Sequence, residues 1–142
     1  MSDSSLELAI KKIEFARAHT NRLLADIDDG DWFRQPAEGV THVAWQVAHL
    51  AMAEYGLALF RMRGRLPEDL ALMPGPFRRK YSKGSAPDPD PANNPSPAEI
   101  RAVFDRVHRQ VILELPSHSP SALGERVDEP YAVSPTRLGG LY

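Results

Sequence analysis

A chain of 142 residues has room for one compact domain, since domains take roughly 100 to 200 residues each. Its 42% hydrophobic and 25% charged residues are those of a globular protein, no apolar run reaches the ~18 residues of a membrane span, and the opening Met-Ser-Asp-Ser-Ser lacks the order of a signal peptide, so a cytoplasmic address is expected. The absence of cysteine leaves only His and carboxylates for any metal, and a net charge of −2 argues against nucleic-acid binding, which rests on neutralising many phosphates.

Thirteen prolines punctuate the chain and leave three long windows free of them, residues 1–35, 37–66 and 98–115. Proline lacks the backbone donor and clashes with the preceding turn, so helices must run between these marks. In the first window Leu6, Ile10, Ile13, Thr20, Leu24 and Ile27 recur at three- and four-residue steps, with Ala9, Ala16 and Leu23 widening the stripe. This predicts an amphipathic helix over 5–28. Asp28, Asp29 and Asp31 around Gly30 predict a turn, after which Trp32 and Phe33 fold back onto the core.

From Val43 to Met62 apolar residues occupy almost every side, which makes the second helix central. With Thr41 as N-cap and Gly64 at C′ it runs about 22 residues, or about 33 Å. Residues 67–97 hold eight of the prolines and form a long crossover. Ser96, Pro97 and Glu99 then set a capping box with proline at its favoured first position. The helix that follows buries Ile100, Val103, Phe104, Val107, Val111 and Leu115 and stops at Pro116. Ser134-Pro135-Thr136 prepares a further helix start, and the chain closes on Leu138, Leu141 and Tyr142. The expectation is a single helical-bundle domain over 1–142 that is C-terminally incomplete, its fourth position empty or filled by a second subunit.

Among five histidines, His49 sits in the middle of the most apolar helix, where an imidazole must find a partner or lose several kcal/mol, about 2–7 for a buried polar group. Two readings stay open: a core histidine satisfied by a neighbour, or a metal ligand. His42 lies about 10.5 Å away along the axis, too far to share one ion. His108 flanks the third helix's stripe, His19 belongs to a polar edge and His118 to a loop. Glu54, about 140° around the helix from His49, is poorly placed as its general base, whereas Gln46 shares its face. No Gly-x-Ser-x-Gly elbow or phosphate loop is present. Residues 61–83 carry seven basic side chains against two acidic ones, locally +5, either a solvated stretch or a cationic rim for an anionic small molecule.

The segment Val43-Ala-Trp-Gln-Val-Ala-His49-Leu-Ala-Met-Ala-Glu54-Tyr, between an amphipathic first helix and a proline-rich crossover, resembles the DinB/YfiT-like superfamily, as does Ser134-Pro-Thr-Arg-Leu-Gly-Gly-Leu-Tyr as the entry to a fourth helix. The resemblance implies an all-α, up-down four-helix bundle, often a homodimer. It also implies a divalent metal such as zinc or nickel on three histidines, with a position open for an acidified water or thiol. His49 matches the second-helix ligand, while the His-x-x-x-His pair of the fourth helix has no counterpart in these 142 residues. The function expected from the resemblance is that of a metal-dependent enzyme, a thiol transferase or hydrolase acting on a small molecule, with a low-molecular-weight thiol as possible co-substrate. The alternative is a metal-free helical bundle serving dimerisation or binding. Neither reading involves a membrane or nucleic acid.

Overall fold

The computed structural model describes residues 2–37 and 39–118, and every regular element among them is helical. Helix α1 spans Ser2–Ala25, three residues earlier at each end than its stripe suggests. Its last turn gives way where Ile27 N–H donates to the Leu24 carbonyl (3.1 Å) and the aspartates take over in a 3-10 turn, Asp29–Asp31. Trp32 is fully buried and Phe33 nearly so, as expected of a fold-back. The Trp32 carbonyl accepts from Ala44 N–H at 2.9 Å, fastening this turn to the next helix.

Helix α2 (Val43–Glu54) continues through a π-helical segment, Tyr55–Phe60, into a last α-helical turn, α3 (Arg61–Arg63). Its N-cap is His42 rather than Thr41: His42 Nδ1 accepts from Trp45 N–H at 3.0 Å. Gly64, at φ +82°, ends the rod in a conformation that costs a side-chain-bearing residue energy, and its N–H donates to the Phe60 carbonyl at 2.8 Å. Gly56, within the π segment, has open space where a Cβ would stand.

Within the expected crossover lie two short helices that prolines do not forbid, α4 (Asp69–Leu72) and α5 (Gly75–Lys80), the latter with Pro76 in its first turn. Between Pro87 and Ser96 the chain makes a 3-10 turn at Pro91–Asn93, and a second 3-10 turn, Leu115–Ser117, lies further along. Helix α6 (Pro97–Glu114) begins on the expected capping box, with Ser96 Oγ accepting from Glu99 N–H at 3.2 Å.

The core lies where α2 crosses α6 and is roofed by α1. Ile100, Val103, Phe104, Val107, Val111 and Leu115 of the predicted stripe are all buried against Ala44, Val47, Ala48, Ala51 and Leu59. Each large side chain so buried stabilises by roughly 1.5–3 kcal/mol. Packing is not complete on every side. On the central helix, expected to be enclosed all round, Leu50 and Phe60 remain 46% and 45% exposed. On α1 Leu23 and Ala16 are exposed, leaving Leu6, Ala9 and the half-buried Ile10, Ile13 and Leu24 to make its contact. The predicted start at Ser134-Pro135-Thr136 lies outside the described residues.

Candidate functional site

His49 stands on the flank of α2 that faces the crossover. Its ring stacks on Trp45, one turn earlier, at 4.5 Å between centroids and 10° between planes. Its Nδ1 lies 2.8 Å from the Tyr81 carbonyl at the end of α5. A carbonyl only accepts, so Nδ1 carries the proton and, in the neutral ring, Nε2 holds the lone pair. Trp45 Nε1 donates to Ser85 Oγ (2.9 Å), and Ser85 Oγ to the Ser82 carbonyl (2.7 Å), which holds the crossover against the same flank. Tyr81 is buried, its hydroxyl donates to Asn94 Oδ1 at 2.7 Å, and burial, reinforced by the negative charge of Asp88, pushes it up to about 12. The ring of His49 is half-buried rather than enclosed.

The histidine fully inside the molecule is His42. Both its nitrogens are committed, Nδ1 as the helix cap and Nε2 donating to the Asp88 carbonyl at 2.8 Å. His108 is committed as well, its Nδ1 lying 2.9 Å from Glu54 Oε2. His19 and Gln46 are exposed. Among the described residues no group of three or more His, Asp or Glu side chains is arranged to hold a metal ion. A three-imidazole site therefore finds one suitable ligand here, His49, and the described donor set alone does not fit the metal.

A second cluster joins α1, α2 and α6. Arg17, 9% exposed, lies over the Phe104 ring at 3.4 Å, donates to Glu54 Oε1 at 2.8 Å and approaches Asp105 at 3.5 Å. Burial pulls its guanidinium below the ordinary value while Glu54 and Asp105 oppose the shift. Glu54 thus bridges Arg17 and His108. Stripe counting passes over this cluster. Yet position 17 is the slot between Ile13 and Thr20, and a charge in an apolar stripe signals a partner of opposite sign on a facing helix.

A third cluster secures the far end of the central helix. Asp69 accepts from Tyr55 Oη (2.8 Å), Arg63 Nη1 (2.7 Å) and Nη2 (3.0 Å), and Leu66 N–H (3.0 Å). Arg63 also donates to Glu114 at 2.9 and 3.1 Å. Burial alone would raise the Asp69 carboxyl, but these donors outweigh it and hold it below its ordinary value. Glu114 is lowered chiefly by Arg63, against its own burial. Arg63 itself is raised by the two carboxylates. The basic stretch is thus divided: Arg63 is structural, whereas Lys80 faces a cleft.

Two roomy clefts are among those that open on the surface of the described residues. One, of 530 Å³, lies between the end of α1 and α6 and is lined by Asn21, Asp28, Asp29, Arg101 and Asp105, with Arg101 already paired to Asp29 at 2.7 Å. The other, of 390 Å³, lies between α5 and α6. Neither is lined by His49.

The described residues thus define an all-α protein in which one carbonyl-anchored imidazole stands beside the crossover and ionic clusters tie the long helices together. The chain belongs to the DinB superfamily, whose family model matches residues 12–142. No curated protein and no solved structure matches it.

Proposed function

We propose that the chain is a DinB-type up-down four-helix bundle that acts on a small molecule, with His49 as one ligand of a divalent zinc or nickel ion. On this reading the remaining ligands come from outside the described residues, a low-molecular-weight thiol is a candidate co-substrate, and the reaction is a transfer or a hydrolysis. The observation that supports it is the Tyr81 carbonyl at His49 Nδ1. Metal-ligating imidazoles are held by such a bond at their other nitrogen, which fixes the tautomer and the ring orientation. The test is the metal content of the full-length protein after exposure to zinc or nickel. Stoichiometric metal that disappears in His49→Ala and persists in His108→Gln is the expected result. A metal-free wild type, or unchanged content in His49→Ala, overturns it.

A specific observation favours a second reading, a metal-free bundle serving dimerisation or binding. Phe15 and Leu8, two turns apart on one face of α1, are 72% and 48% exposed, and such apolar area is costly to leave in water. A homodimer that dissociates in Phe15→Glu, measured by sedimentation, together with the absence of metal binding, is the result this reading expects. A monomeric wild type removes it.

A further inference from the structure

The 390 Å³ cleft between α5 and α6 has a size typical of small-molecule sites, which run from about 300 to 1,000 Å³. Its walls are apolar, with Phe77 and Pro74 on one side and Val103 and Ala102 on the other. Two cationic side chains, Lys80 and Arg106, reach it from opposite helices. Glu99 is also at the cleft, but its carboxylate lies 3.3 Å from Ser96 Oγ within the capping box.

Arg106 is the informative residue. Its guanidinium makes one long hydrogen bond, Nη2 to the Leu72 carbonyl at 3.4 Å. Its Nε–H is buried without an acceptor among the described residues. No ion pair to a carboxylate joins Arg106 among the described residues, whereas Arg17 and Arg63 each have two and Arg101 has one. A buried N–H of a charged group without an acceptor is among the costlier defects a fold carries, and an arginine offers carboxylates a fork of two parallel donors. An anion in the cleft would offer the Arg106 fork the acceptor it lacks among the described residues.

We propose that this cleft binds a small amphipathic carboxylate, its apolar body between Phe77 and Val103 and its charged end on Arg106 with Lys80 at the rim. The proposal goes beyond the reading of His49 and stands without it. It narrows the cationic-rim reading of the basic stretch to one residue, Lys80, and adds Arg106, which lies outside that stretch.

The test titrates the full chain with 4-phenylbutyrate and with its neutral amide, by calorimetry and by amide chemical-shift mapping. The acid should bind and shift the backbone signals of Phe77, Ala102 and Val103. The amide should bind weaker by about tenfold or more, the worth of one hydrogen bond to a charged group. Arg106→Gln should remove this preference for acid over amide. Ala102→Trp, which fills the cleft, should abolish binding of both, and His49→Ala should change neither. Equal binding of acid and amide, shifts elsewhere in the wild type, or an unchanged preference in folded Arg106→Gln overturns the proposal. The mapping needs no variant, so it decides even if a substitution unfolds the chain. Metal content, which tests the role of His49, is measured separately.

Discussion

Replacing Asp69 by asparagine keeps the shape of the side chain and changes only charge and hydrogen bonding. Asp69 is 5% exposed and accepts four hydrogen bonds from Tyr55, Arg63 and Leu66. Every one of those partners is a donor, so in either orientation the amide NH2 of asparagine faces a donor. Stripping one partner from a buried ion pair costs about 3–5 kcal/mol, but Arg63 keeps Glu114 and is itself partly exposed, which lowers the expected loss to about 2–3 kcal/mol. For a chain of this length that is a fall in Tm of about 4–12 °C. Urea and thermal unfolding followed by far-UV circular dichroism measure it, with Arg63→Met and the double variant completing a cycle. A loss under about 1 kcal/mol, the worth of a surface pair, with no coupling in the cycle would refute the reasoning. The same cluster sets an acid limit. Asp69 and Glu114 lie below their ordinary values of 3.8 and 4.5, so the stability they contribute is fully present above those values and is lost as pH falls through the depressed ones. The Asp69→Asn variant should therefore lose less stability than the wild type on acidification below that range.

His42→Ala removes both the cap of α2 and its bond to the Asp88 carbonyl, and should cost about 1–2 kcal/mol in urea unfolding, with His42→Asn recovering part of it. Leu59→Ala, at a fully buried position, should cost about 2–5 kcal/mol by the same measurement, with the transition still cooperative.

The long helices were legible because each signals through periodicity and punctuation. The α6 stripe and its Ser96-Pro97-Glu99 start appear as read, and Gly64 ends the central helix as its position implies. What escaped the sequence depends on contacts distant along the chain. Thr41 is the better capping residue by type, but His42 takes the role because its second nitrogen finds Asp88, 46 residues on. Short helices α4 and α5 carry too few residues for a stripe, so nothing local distinguishes them from irregular crossover. At His49 the pattern showed an imidazole needing a partner, but not that the Tyr81 carbonyl would supply it. Nothing local joins Arg17 to Glu54, 37 residues further on, and only the packing of α1 against α2 makes them a pair.

That pair has a mechanical consequence. The buried seam of the central helix carries Ala44, Ala48 and Ala51 of α2 and Ala58 of the π segment beside Val47, Tyr55 and Leu59. A slip of one turn, about 5.4 Å, would carry Arg17 away from Glu54 and leave a charge stranded in a dry setting. The Arg17–Glu54–His108 bridge therefore works as a detent. It favours the axial alignment at which Arg17, Glu54 and His108 meet.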